Sequence, residues 1–234
     1  CVKKYSLDSC IPFIQNISHE NTIVLPVLNV YGTGAYLQEK LPKVLVTDGC
    51  IYVSANIKQA GVLLQHGEIL RVFFGVREKE DLKKLNGQSD GEYKAERLLK
   101  IDGVLSDNIK RDALTKFSYV SPIGTAGLYL HAVAGDFQRE GEARELFKTL
   151  IREIVTLANA MGITFEEDLV ERNLKILSNL PEEATTSMQR DVMEGKQSEI
   201  DGLVYEVVRI AKKYGVEVPV YERAAEKFRE MEVK

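Results

Sequence analysis

The sequence predicts an α/β segment followed by an all-α segment, changing over near residue 106, and three observations carry that expectation. A short helix pattern is followed by a buried-strand pattern, Thr22-Ile23-Val24-Leu25-Pro26-Val27-Leu28, which is the rhythm of a parallel α/β sheet. That strand runs through a glycine-bearing turn, Gly32-Thr33-Gly34, into another helix, at the place where such sheets take ligands. Beyond Asp107 the apolar period changes from about two residues to about 3.6 and stays there to the end of the chain.

The first helix, over residues 6–17, shows apolar positions at Leu7, Ile11, Phe13 and Ile14, and Pro12 should break it. After the turn a helix is expected over residues 35–40. Next come β-rich runs over residues 43–47, 50–57, 61–65 and 69–75, separated by turns at Gly49, Gly61 and Gly67; connections this short allow antiparallel pairing only. Residues 78–91, rich in charge and glycine, read as a solvated loop or weak helix, residues 92–101 as a helix, and Val104-Leu105 as a short strand.

The helical half opens with a segment over residues 108–131 that Pro122 should bend and whose small residues, Ser121, Gly124, Thr125, Ala126 and Gly127, suit close packing. Further helices are expected over residues 142–161 and 166–177, and after Pro219. Between them lies a helical hairpin. Thr185, Thr186 and Ser187 can each cap its first helix, Gly195 stops it, and Ser198-Glu199 opens a second run to Tyr214.

A net charge of −4 and a pI near 5.6 leave no basic surplus for nucleic acid. Three scattered cysteines, Cys1, Cys10 and Cys50, show no CxxC spacing, which argues against a disulfide framework and a zinc site and fits a reducing cytoplasm. No apolar run approaches a membrane span. The chain starts at Cys1 rather than methionine, in a string that reads like the end of a strand, so further residues are expected upstream.

The hairpin can bring the Ser187 hydroxyl and the Glu199 carboxylate to one end of a cleft. On their own these residues have ordinary roles, since a serine at a helix start caps it and a glutamate in a first turn complements the helix dipole. Their spacing says more. The block S-M-x-x-D-x-x-x-G-K-x-[ST]-E-I-D-G, from Ser187 to Gly202, resembles the C-terminal signature of the ketopantoate reductases (2-dehydropantoate 2-reductases). Cys1-Val2-Lys3-Lys4-Tyr5 resembles the same family's strand end V-K-x-Y, and Arg111 to Phe117 resembles its segment x-x-x-W-x-K-[FL], with Leu114 in place of tryptophan.

The resemblance implies a Rossmann-type nucleotide domain over residues 1–105, seen without its fingerprint loop and closed by an antiparallel extension. A helical substrate and dimerisation domain would follow over residues 106–234. It implies NADPH as cofactor, a small 2-oxoacid as substrate, a cytoplasmic enzyme of pantothenate biosynthesis and a homodimer. Lys116 would be the catalytic acid and Glu199 would steady it or the cofactor ribose. Ser187 and Asn29 would hold the substrate, and Lys3, Asn29, Ala55 and Glu199 would meet the cofactor. Where the family has further asparagines gripping a polar substrate, this chain has Val120, Gly124 and Ala134, and Val30 stands where glycine is usual. Two other readings stay open: a relative that lost its substrate grip and acts as a helical binding module, and a hydroxyacid or 6-phosphogluconate type dehydrogenase, whose signatures are not found.

Overall fold

The computed structural model, which describes residues 2–87 and 102–233, divides into two units, Cys1–Ala113 and Leu114–Lys234. In the first, a 3₁₀ turn at Lys4–Ser6 leads into α1 (Leu7–Ile17). Leu7, Ile11 and Ile14 share one face of α1 and pack with Leu37 and Leu41, at and just beyond α2 (Thr33–Lys40), and with Val24, Val44 and Val46. Contrary to expectation, Pro12 does not break α1. It lies on the exposed face, where the one carbonyl it leaves over is open to water.

The strand expected over residues 22–28 is shorter. β1 (Ile23–Val24) pairs in parallel with β2 (Leu45–Val46) over two residues only, and Ile23, Leu25 and Val27 are each 37% exposed. Pro26 has no N–H with which to extend the ladder. β3 (Asp48–Gln59) and β4 (Val62–Gly75) form a long antiparallel hairpin, and β5 (Asp102–Leu105) joins β4 in parallel. Turns expected at Gly49 and Gly67 do not form. Gly49 lies inside β3 opposite Phe74, and Gly67, with a φ of 74°, sits inside β4 where the register shifts between Val53 and Ala55, so it marks a bulge rather than a reversal. Leu45, Val72, Phe74 and Leu85, the last on α3 (Leu82–Gly87), make a second small core. The helix expected over residues 92–101 lies outside the described residues.

The second unit is helical. It contains most of α4 (Ile109–Leu130), then α5 (Ala134–Gln138), α6 (Glu142–Ala160), α7 (Leu169–Leu177), α8 (Ser187–Met193), a π-helical turn (Asp201–Tyr205), α9 (Glu206–Tyr214) and α10 (Pro219–Glu230). α4 runs through Pro122 as one element. The proline withdraws the N–H that would bond the Ser118 carbonyl, and the fully buried Asn173 of α7 donates Nδ2 to that carbonyl at 2.9 Å and to Ser118 Oγ at 3.0 Å.

Of the three candidate caps for α8, Thr186 is the one used. Its Oγ1 accepts from the Gln189 N–H at 3.2 Å, Gln189 Oε1 accepts from the Thr186 N–H at 3.0 Å, and Gln189 Nε2 donates to the Ala132 carbonyl at 2.8 Å. This capping box lies over the small residues of α4. A Cβ at Gly127 would come within 2.6 to 2.8 Å of the Gln189 amide, and one at Gly124 would come within 3.1 Å of Met188 Cε. The helix expected to start at Glu199 begins instead with the π-helical turn, in which the Glu206 N–H donates to the Asp201 carbonyl. The wider turn leaves room for the Leu203 carbonyl to accept from Ser121 Oγ on α4, at 2.5 Å.

Glu153 of α6, 8% exposed, caps α10 from a distance by accepting the Val220 N–H at 2.8 Å and the Tyr221 N–H at 3.0 Å. Burial pushes its carboxyl above the ordinary 4.5, against the pull of those two N–H groups. Replacing Glu153 with alanine should cost about 2–3 kcal/mol in denaturant unfolding, because the buried Tyr221 N–H and the part-buried Val220 N–H lose their acceptor. The folded state takes up the Glu153 proton more readily than the unfolded chain. The stability gap between wild type and Glu153→Ala should therefore be widest and level below 4.5, and narrow as pH rises from 4.5 through the raised native value. For Gly127→Ala we expect a net loss of about 1–2 kcal/mol despite better helix propensity, since the Gln189 side chain is pinned at both ends, while Gly124→Ala, which meets only the mobile end of Met188, should be near neutral.

Candidate active site

In the first unit, the loop after β1 holds Asn29, half-buried, ahead of a buried Val30 whose carbonyl accepts from Thr33 Oγ1 at 2.8 Å. Gly32 takes a left-handed conformation, φ 79°, at the start of α2. The glycine that follows serves the protein itself. A Cβ on Gly34 would overlap the Asp48 carboxylate, which accepts the Gly34 N–H and pairs with Arg77 at 3.3 Å. Burial pushes the Asp48 carboxyl up against the pull of Arg77. With that carboxylate seated at the amino end of α2, Gly32-Thr33-Gly34 is a packing and turn device and not a phosphate cradle.

Lys3 is half-buried just ahead of the first turn, where its carbonyl accepts the Ser6 N–H at 3.0 Å; its neighbour Lys4 sets Nζ 4.0 Å from the centre of the Tyr36 ring. Ala55 is exposed on β3, paired with Gln65 beside the bulge. The amide of Asn29 and the ammonium of Lys3 are donors of the kind that suit the carboxamide and ribose hydroxyls of a nicotinamide nucleotide.

In the second unit, Lys116 is half-buried on α4, with Val120, Ile123 and Gly127 following at helical spacing on the same side. Ser187 is exposed at the first position of α8, its neighbour Thr186 having taken the capping role. Glu199 is 5% exposed, and its carbonyl accepts the Leu203 N–H at 3.0 Å. The segments carrying Ser187 and Glu199 both dock on α4 within about three turns of Lys116, one over Gly124 and Gly127 and the other at Ser121. A side chain that could ionise at Glu199 is thus kept from water in the same unit as a lysine that is itself partly withdrawn from it, the circumstance in which charge is most effective.

At position 124, one of those where the family resemblance leads to an asparagine, the Met188 methyl would have to move to admit a longer side chain. Ala134 is buried, its N–H donating to the Ala184 carbonyl at 2.9 Å. Sequence reasoning did not single out Asn173, Gln189, Tyr221 or Glu153 as supports of this region. Pro122 was the available signal, since a proline inside a buried helix requires a donor from elsewhere. Among the described residues no group of three or more histidine, cysteine, aspartate or glutamate side chains could hold a metal, and no helix is long and apolar enough to cross a membrane.

The family description "Ketopantoate reductase PanE/ApbA" matches residues 1–79, and "Ketopantoate reductase PanE/ApbA C terminal" matches residues 108–232. The uncharacterized oxidoreductase YkpB of Bacillus subtilis (strain 168) is 22% identical over 220 residues, 94% of this chain and 71% of that protein. A dimeric ketopantoate reductase from Staphylococcus aureus has the same fold, with a TM-score of 0.79 at 21% identity over 98% of this chain and 74% of that one. So does D-mandelate dehydrogenase in its ternary structure with NADH and anilino(oxo)acetate, with a TM-score of 0.79 at 20% identity over 97% of this chain and 72% of that one. With the first family description falling on the α/β unit and the second on the helical unit, in the family's own order, the chain belongs to the ketopantoate reductase family of oxidoreductases.

Proposed function

We propose that the protein is an NADPH-dependent 2-oxoacid reductase that converts 2-dehydropantoate, or a close relative of it, to the 2-hydroxyacid. One observation carries the reading: the half-buried Lys116 stands on the helix against which both the Ser187 and the Glu199 segments are docked. Bound NADPH would supply the hydride that the carbonyl carbon takes up. The Lys116 ammonium donates a hydrogen bond to the carbonyl oxygen, stabilises the alkoxide that develops there, and gives it a proton. Glu199, held out of water, holds that ammonium or a ribose hydroxyl in place. Ser187 at the exposed start of α8 accepts or donates to the substrate's polar end, and Asn29 bridges substrate and nicotinamide. Lys3 and Ala55 complete the cofactor's contacts, which makes residues 1–105 the nucleotide domain and residues 106–234 the substrate domain. A homodimer through the helical half and a cytoplasmic place in pantothenate biosynthesis follow the same reading, and the dimeric state named for the Staphylococcus aureus relative supports it.

A second reading concerns specificity. The Met188 methyl in the space beside Gly124, the apolar Val120 and the buried Ala134 remove three donors for a polar substrate tail, so 2-oxoacids with apolar side chains should be taken at least as well as 2-dehydropantoate.

Absorbance loss of NADPH on adding 2-oxoacid to the full-length protein tests both readings. Lys116→Ala should lower kcat by about 10²–10⁴-fold with the fold intact. Unchanged turnover in that variant, or tight self-association with no oxidation of cofactor, contradicts a reductase. A phenyl or branched-alkyl 2-oxoacid should give a kcat/KM equal to or above that for 2-dehydropantoate, and a clear preference for 2-dehydropantoate contradicts the apolar subsite.

A further inference from the structure

We infer that Ser121 and Tyr221 are positioning residues for Glu199, acting through the π-helical turn that follows it; the inference rests on the role given to Glu199 above. Ser121 Oγ donates to the Leu203 carbonyl at 2.5 Å, which uses its only proton. The 2.6 Å contact between Ser121 Oγ and Tyr221 Oη therefore has the tyrosine donating. Both side chains are wholly buried, at 0% exposure. The relay continues on the backbone, because the Leu203 N–H donates to the Glu199 carbonyl at 3.0 Å. Tyr221 to Ser121 to the Leu203 carbonyl is thus one hydrogen-bonded series, and the Leu203 backbone joins it through Cα to the N–H that holds the Glu199 carbonyl.

The first two members of the series are fixed in turn. Tyr221 is placed by its own N–H on the Glu153 carboxylate at 3.0 Å, and the Ser121 carbonyl accepts from Thr125 Oγ1 at 2.8 Å within α4. Three buried polar groups in an apolar core are costly unless all are satisfied, and alkyl side chains would fill the same volume without that cost. What the polar series supplies is geometry. It ties the residue four before Leu203 to the helix that carries Lys116, five residues ahead of Ser121, and it does so where the helix widens into a π-helical turn, a distortion that concentrates at functional sites.

Two measurements on the full-length protein test this. Hydrogen exchange of the Leu203 amide should quicken by about tenfold or more in Ser121→Ala and by less in Tyr221→Phe, and an unchanged rate in both overturns the inference whether or not the protein is an enzyme. In kinetics, Ser121→Ala should lower kcat/KM by about tenfold, mainly through kcat, yet by less than about twofold when Glu199 is already glutamine. An equal loss in both backgrounds means that Ser121 acts on the core and not through Glu199, and overturns the inference. Full turnover by Glu199→Gln alone removes the functional reading and the positioning role with it, even where the exchange result holds. Tyr221→Phe, which keeps the ring volume, carries the same cycle should Ser121→Ala fail to fold.

Discussion

The close approach of neighbouring segments to α4 between Ser121 and Gly127 is the constraint on which the helical unit depends. Residues 121–128 are all buried; Gly127 admits the Gln189 amide at a distance that a larger residue would forbid, and Gly124 lies against the Met188 methyl. Polar side chains in the same stretch are admitted only because each has a partner: Ser121 with Leu203 and Tyr221, Thr125 with the Ser121 carbonyl. Close packing of this kind transmits position. Where α4 goes, the start of α8 and the π-helical turn must follow, and with them Ser187 and Glu199.

The arrangement also suits chemistry at a carbonyl. A reductase needs a cationic donor already aimed at the oxygen, in surroundings dry enough for the charge to act and rigid enough that nothing has to reorganise. α4 offers a half-buried lysine, a partly apolar face beyond it and a scaffold pinned by Asn173 at Ser118 and by Tyr221 at Ser121. The same packing bears on the apolar subsite proposed above. Because Met188 lies against Gly124, an asparagine introduced there would also require the methionine to move.

Much of this was legible in the sequence. The change of period beyond Asp107, the signature from Ser187 to Gly202 and the lysine at position 116 located the two kinds of structure and the candidate residues, because amphipathic periodicity and a long motif are both local signals. Where local signals compete, the sequence misled. Three adjacent residues could cap α8, and the choice of Thr186 was made by Gln189 reaching the Ala132 carbonyl, a contact across 57 positions. Gly67 reads as a turn, yet neighbouring strand pairs on both sides hold it inside β4 as a bulge. Pro12 reads as a break and is tolerated because it faces outward. The π-helical turn had no local sign at all, and the partner that its Leu203 carbonyl takes is a serine 82 residues away.

The account stands most directly on where the Lys116 ammonium points when substrate is bound. A crystal structure of the full-length protein with oxidised cofactor and a 2-oxoacid should place Lys116 Nζ within about 3 Å of the carbonyl oxygen, with the Glu199 carboxylate behind it. A lysine turned to solvent in that complex, with the carbonyl oxygen held by other groups, would contradict it.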